Sequence, residues 1–209
     1  MKRLFLTILI LLFCSTVYAD SEGPNSPGTM ADDAAVGTDQ WYNVDNVKIS
    51  NNNYSITEPG RPLVYSHYLK ATNFGFSIPS GATITGILVE IEKYKRSSEP
   101  YVDVRDSEVK IVKSDGSIGT TNRADTVSQW PTSEDYVSYG ASDDLWGETW
   151  TKDDINHANF GAVLSVLSYS SDDDYPTYFV DHIRITVYYT ELPSVTILYN
   201  AVIENAVIN

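Results

Sequence analysis

Residues 82–94 read ATITGILVEIEKY and form the clearest strand pattern in the chain. Along this stretch the apolar residues Ile87, Val89 and Ile91 alternate with the acidic residues Glu90 and Glu92. Successive side chains of a β-strand point to opposite faces. The alternation therefore predicts a strand with one face on a hydrophobic core and the other facing water.

Segments of similar character lie on both sides of this strand. They are rich in Val, Ile, Thr and Tyr, are separated by polar turns, and cover residues 40–42, 55–57, 65–76, 107–113, 160–169 and 178–189. Segment 160–169 is almost continuously apolar, as expected of a central strand. Roughly eight to ten strands in one domain predict an all-β fold, a single jelly-roll-like β-sandwich. We place this domain at residues 36–191.

The segment DLWGETWTKDDINHANFG, residues 143–160, carries the one convincing helix signal. Thr151 precedes Asp153 and Asp154, which predicts a capping box and one short helical turn. The tryptophans are expected to cover the core at a strand end, and the first glycine to allow a turn. We interpret six residues as a fold signature rather than a catalytic site: Trp146, Gly147, Trp150, Thr151, Phe160 and Gly161.

The N-terminus has the pattern of a secretory signal. Lys2 and Arg3 precede an apolar run of about ten residues, and the sequence up to Ala19 fits the small-x-small cleavage rule. A membrane-spanning helix needs roughly 20 apolar residues. The pattern predicts a signal peptide at residues 1–19 and a secreted or cell-surface protein, with no membrane insertion after cleavage. A lipoprotein signal at Cys14 is the alternative.

The composition excludes some partners. The chain has 209 residues, one cysteine and a formal net charge of −14, which becomes −16 (−14 − 2) when Lys2 and Arg3 leave with the signal. A surface this acidic repels phosphate groups, which argues against nucleic acid and anionic membranes. The mature chain would hold no disulfide, so its hydrophobic core has to stabilise it unaided.

Two flanking segments differ from the predicted domain. Residues 20–35, DSEGPNSPGTMADDAA, are predicted to be a flexible leader. Residues 192–209 form a β-prone tail with a single charge, Glu204. An uncovered strand of this kind invites pairing. The tail is expected to dock on its own sandwich, to self-associate by adding residues 193–209 to a neighbouring subunit, or to begin a truncated second domain.

Catalytic motifs are absent from the sequence. It contains no G-x-S-x-G nucleophile motif and no H-E-x-x-H or C-x-x-C zinc motif. Its three histidines, His67, His157 and His182, lie in separate segments. We therefore predict that the protein is not an enzyme. The sequence indicates no cofactor with certainty.

Asp181 is the most informative acid. Strict alternation along its strand places it on the inward face with Phe179, where an unpaired carboxylate is costly. Bonds to backbone amides or to an arginine such as Arg105 would satisfy it. A structural Ca²⁺ is the alternative, with Asp172, Asp174 and Asp181 as its candidate ligands, because calcium prefers oxygen ligands.

Aromatic residues are the other candidates for a site. Fifteen tyrosines and four tryptophans exceed what core filling usually requires. Aromatic side chains in loops stack on sugar rings or anchor protein interfaces. The candidate ligand-binding residues are Trp130, Tyr136, Tyr169, Tyr175 and Tyr178.

Five short runs occur in a definite order: LKATNFGF (69–76), ATITGI (82–87), DDLWG (143–147), NFG (159–161) and VDH (180–182). Their succession resembles a β-sandwich module of bacteriophage tail and virion-associated proteins and of secreted bacterial surface proteins. The layout is similar, more loosely, to the galactose-binding-like jelly rolls of carbohydrate-binding modules. The resemblance implies a non-catalytic role, as a structural or receptor-facing unit of an extracellular fibre or surface assembly.

Two functions follow as expectations. The first is an exported binding or adhesion module that recognises a glycan or a surface partner. The alternative is a structural subunit of an extracellular fibre or surface assembly, joined through residues 193–209 by strand addition.

Overall fold

The computed structural model describes residues 17–57, 63–96, 102–170 and 177–191. Within these residues the strands are β1 (Tyr18–Asn25), β2 (Thr29–Asp33), β3 (Trp41–Tyr42), β4 (Ser55–Thr57), β5 (Leu63–Tyr65), β6 (Tyr68–Thr72), β7 (Thr83–Lys95), β8 (Val102–Val112), β9 (Asp135–Ala141), β10 (Gly161–Ser170) and β11 (Tyr178–Glu191). A 3-10 helix covers Val44–Val47, and α1 covers Lys152–Ile155.

The strands form two antiparallel sheets packed as a β-sandwich, which confirms the predicted fold class. Sheet A has the order β3-β4-β11-β7-β9, and β1 also pairs with β11. Sheet B has the order β2-β6-β10-β5, and β8 also pairs with β10. The inner faces of both sheets bury a continuous hydrophobic core.

β7 is the strand that the opening pattern predicted. Ile87, Val89 and Ile91 are fully buried, while Glu90 and Glu92 point to the outer face of sheet A. β7 pairs with β11 on one side and with β9 on the other, so it is a central strand. The alternation was therefore a reliable guide to which side chains enter the core.

β10 holds the same position in sheet B. It pairs with β8 along its whole length on one side, and with β6 and then β5 on the other. Both faces of its first half are buried. This explains the continuous apolar run from which a central strand was predicted.

A bulge in β11 changes which residues face the core. Val180 pairs with Lys93 and His182 pairs with Glu92, so Asp181 is an extra residue without a partner in the ladder. Val180 points inward before the bulge, and odd-numbered residues such as Ile183 point inward after it. The predicted inward position of Phe179 is corrected: its ring lies on the outer face. Strict alternation cannot anticipate a bulge.

Residues 20–35, predicted as a flexible leader, instead form most of β1 and all of β2. β1 pairs with the C-terminal half of β11, and β2 pairs with β6. Backbone hydrogen bonds along a sheet do not require apolar side chains, so the polar composition of the segment gave no sign of this pairing. Residues 1–16 of the predicted signal peptide and the tail 192–209 lie outside the described residues.

The tryptophan-rich segment forms a tight turn against the core. Trp146 is 1% exposed and donates from Nε1 to the Ile87 carbonyl at 2.9 Å. Trp150 packs edge to face on Phe160. Gly161 has no room for a side chain, because a Cβ there would lie 1.9 Å from the carbonyl oxygen of Ala71. Trp146 therefore holds the turn against β7, and Gly161 allows β10 to begin close to β6. The interpretation of the six residues as a fold signature stays a prediction.

Thr151 caps α1 through a reciprocal pair of bonds. Its Oγ1 accepts from the Asp154 amide at 3.2 Å, and the Asp154 carboxylate accepts from the Thr151 amide at 3.0 Å. Hydrogen bonds from Ser114 and Thr151 lower the pKa of Asp154. A carboxyl group whose pKa is lowered by folding stabilises the fold above its unfolded pKa and loses that contribution as the pH falls.

We expect Thr151→Ala to lower the free energy of unfolding by about 1 kcal/mol at neutral pH, because the cap is lost. The difference from wild type should shrink as the pH falls through the pKa of Asp154. Urea unfolding at neutral and acidic pH measures both effects. Thr149→Ala, at an exposed position two residues earlier, is the matched control. Equal unfolding free energies for the two variants would contradict the capping role.

Candidate functional site

Two of the predicted ligand-binding aromatics belong to the core. Trp130 is 3% exposed and Tyr178 is wholly buried. Tyr178 lies edge to face between Trp41 and Trp130, with ring centroids 5.6 and 5.7 Å away. The prediction that Trp130 and Tyr178 contact a ligand is corrected, because they fill the space between the sheets at one end of the sandwich.

Tyr136 is partly buried on the outer face of sheet A. Its hydroxyl lies 2.8 Å from Nδ1 of His182, and the Arg184 guanidinium stacks 3.8 Å above its ring. Nε2 of His182 lies 2.9 Å from Oγ of Ser26. The Ser-His contact has the spacing of a nucleophile and its base, but a phenol stands where a catalytic triad has a carboxylate. Burial lowers the pKa of His182, so the neutral ring that joins these segments is favoured.

Tyr169 is exposed, and the sheet register surrounds it with further exposed side chains. In β10 and β5, Tyr169 lies opposite Leu63, and Leu167 lies opposite Tyr65. Leu63, Tyr65 and Tyr169 are 55%, 47% and 45% exposed, far above the core residues. Residues directly opposite each other in an antiparallel pair share a face, so these four side chains stand together on the outside of sheet B.

β8 extends the same face with a charged pair. Asp103 lies opposite Tyr169, and Arg105 lies opposite Leu167. The Arg105 guanidinium donates to both carboxylate oxygens of Asp103, at 2.8 and 2.6 Å, and this contact raises its pKa. We call the resulting two rows of three side chains the tyrosine face: Leu63, Tyr65, Asp103, Arg105, Leu167 and Tyr169.

The tyrosine face was only partly foreseen. Tyr169 was a candidate from its loop-proximal position, whereas Tyr65 was assigned to a longer strand and not singled out. The predicted Tyr175 lies outside the described residues. Register is what brings residues of β5, β8 and β10 together, and a single sequence does not reveal register between strands that are far apart along the chain.

Asp181 meets backbone amides and other acids rather than an arginine. Its Oδ2 accepts from the amides of Asn51 and Asn52 at 2.9 and 3.1 Å, which is the amide alternative left open by the sequence. Arg105 is engaged with Asp103 in the other sheet. One carboxylate oxygen each of Asp181, Glu92 and Glu134 lies within 4.8 Å of the other two. Asp172 and Asp174, the other predicted calcium ligands, lie outside the described residues.

A second polar cluster lies inside the core and was missed by the sequence reasoning. Lys93 points inward and forms an ion pair with Asp106, and both side chains are 2% exposed. Asp106 also accepts from Trp130 Nε1 at 2.8 Å and from the Tyr139 hydroxyl at 2.7 Å. Burial lowers the pKa of Lys93. Extending the alternation of β7 from Ile91 to residue 93 would have revealed this inward lysine.

The comparisons with known proteins are sparse. No family model and no curated protein matches the chain. Among solved structures it is similar to the CBM22-1 xylan-binding domain of Xyn10C from Paenibacillus barcinonensis, with a TM-score of 0.33 and 11% identity over 85% of this chain and 97% of that domain. Likeness at this level carries no argument about a ligand. The resemblance to phage and bacterial surface modules stays a prediction.

Across the residues that the structure describes, no helix has the length and apolar character needed to cross a bilayer.

Proposed function

We propose that this protein is a non-catalytic, exported binding module that recognises a glycan through the tyrosine face. The observation that carries the proposal is the pairing of Tyr65 and Tyr169 with Leu63 and Leu167 on the outside of sheet B. Exposed apolar side chains occurring singly on a surface need no explanation, but a contiguous aromatic group indicates a contact surface.

The chemistry of the face suits a sugar. A pyranose ring has an apolar face of C–H groups and a rim of hydroxyls. A tyrosine presents a flat apolar ring with a polar tip, so it can cover the ring face and bond to its rim. Tyr65 and Tyr169 lie on neighbouring strands and stand in adjacent rows, a spacing of about 5 Å across and 7 Å along the sheet.

The Asp103–Arg105 pair supplies the polar part of the face. Asp103 fixes the guanidinium through two bonds, and an arginine has five N–H donors in all. The remaining donors and the carboxylate oxygens are positioned to bond sugar hydroxyls beside the tyrosines. A few fixed polar groups on an otherwise apolar surface are typical of small-ligand sites.

We expect Tyr169→Ala and Tyr65→Ala each to weaken glycan binding by at least about tenfold, or about 1.4 kcal/mol, as for truncation of an aromatic anchor. A glycan array would first identify the sugar retained by wild type. Affinity electrophoresis against the polysaccharides identified would then rank the variants.

Tyr42→Ala is the matched control, because Tyr42 is 46% exposed but belongs to β3 of the other sheet. It should bind as wild type does. Equal losses for Tyr42→Ala and Tyr169→Ala would contradict the assignment of the site. Failure of the wild type to retain any glycan would contradict the function itself.

A further inference from the structure

We propose that Glu92, Glu134 and Asp181 form a binding site for a divalent cation of the calcium class on the outer face of sheet A. We call these three residues the acidic site. It lies on the opposite sheet from the tyrosine face and does not depend on the function proposed for that face.

The spacing of the three acids fits one ion. One carboxylate oxygen from each residue lies within 4.8 Å of the other two. Calcium binds oxygen at about 2.3–2.6 Å, so two of its ligands can be at most about 5 Å apart. The three oxygens can therefore contact the same ion without a large movement of the backbone.

Each of the three acids also has one oxygen without a partner. Among the described residues, Asp181 Oδ1, Glu92 Oε2 and Glu134 Oε1 are buried side-chain oxygens with no hydrogen-bond donor. Asp181 is wholly buried, and two amides hold its other oxygen. Burying a carboxylate oxygen without a donor or a cation is costly. One such oxygen on each of three clustered acids indicates a ligand that satisfies them.

Within the part of the chain that the structure describes, no ion pair joins a lysine or an arginine to these three acids. Arg184, on β11, donates to both oxygens of Glu90 at 2.9 Å. The three carboxylates therefore repel one another, and a bound cation would remove that repulsion.

The ligand set selects a hard cation. All three groups are carboxylates, and both nitrogens of His182 are already engaged by Ser26 and Tyr136. Oxygen-only sites favour calcium, magnesium or manganese over zinc or copper. The ion would join β7, β11, the start of β9 and the loop around Asn51, so its binding would stabilise the fold.

Melting curves test the site directly. Wild type treated with EDTA and desalted should gain about 5–10 °C in Tm when CaCl₂ is added at a hundred times its dissociation constant. Glu134→Gln should gain less than about 1 °C by the same linkage, because the site loses a ligand charge. Glu148→Gln, a matched change in the turn after Trp146, should respond as wild type does.

Terbium luminescence gives a second readout that does not depend on stability. Tb³⁺ takes the place of Ca²⁺ in oxygen sites and emits when a nearby aromatic residue is excited. The Tyr54 hydroxyl donates to Glu134 at 3.3 Å, so this tyrosine is placed to sensitise the ion. Wild type should emit, calcium should quench the emission by competition, and Glu134→Gln should not emit. Unchanged melting of wild type with calcium or magnesium, together with no sensitised emission, would overturn the proposal.

Discussion

Replacing Asp106 with alanine is expected to lower the free energy of unfolding by about 3–5 kcal/mol, one of the two largest losses that the structure predicts. The carboxylate is buried and neutralises Lys93, which is also buried. It further accepts from Trp130 and Tyr139, so its removal leaves the charge of Lys93 without a counterion and takes one acceptor from both donors. Equilibrium unfolding in urea measures the loss.

Two controls separate the buried pair from ion pairs in general. The double variant Lys93→Met/Asp106→Leu removes both charges and should recover the part of the loss that comes from the unpaired charge, because an apolar pair of similar volume can replace a buried salt bridge. Asp45→Asn breaks an exposed pair with Lys48 and should cost less than about 1 kcal/mol. A loss of less than about 1 kcal/mol for Asp106→Ala would show that the buried pair contributes no more to the free energy of unfolding than an exposed pair does.

Replacing Trp146 with alanine is expected to cost about 3–5 kcal/mol, because it empties a large volume in a packed core. Trp146 is 1% exposed and connects the turn before α1 to β7 through its bond to the Ile87 carbonyl. The side chain therefore holds this turn against the central strand of sheet A. Thermal and urea unfolding both report the loss.

Trp146→Phe divides this effect into packing and hydrogen bonding. It keeps most of the ring but removes the indole N–H, and it should cost about 1–3 kcal/mol because the buried carbonyl loses its donor. Trp150→Ala, which removes a partly buried tryptophan four residues later, should cost less than Trp146→Ala. A larger loss of unfolding free energy for Trp150→Ala than for Trp146→Ala would show that the turn depends more on the partly buried Trp150 than on the buried Trp146.

Much of the fold follows from periodicity in the sequence. The alternation of β7 and the apolar run of β10 are consequences of burial on one face or on two, so they are visible without a structure. The bulge at Asp181 leaves no such sign in the sequence. One extra residue does not change the composition of β11 noticeably, and it only shifts which of the alternating residues face the core. β1 and β2 were not predicted for a related reason. They join the sheets by backbone hydrogen bonds to β11 and β6, which leave no pattern in the side chains.

The candidate sites were harder to predict than the strands. Tyr65, Asp103 and Tyr169 become neighbours only through the register of three strands, and Glu134 reaches Asp181 only through the packing of β9 against β7. The choice of Asp181 as an unusual acid was sound, because a buried carboxylate needs a partner wherever it lies. Its partners could not be chosen from 28 acidic residues without coordinates.

The two outer faces of this sandwich are chemically different and separated by the whole core. Sheet A carries the acidic site and sheet B the tyrosine face, and packed sheets stand about 10 Å apart with these side chains directed away from each other. Changes at such distances usually combine additively. Under the two proposals made above, substitutions could change ligand preference on sheet B while the acidic site of sheet A continues to stabilise the fold.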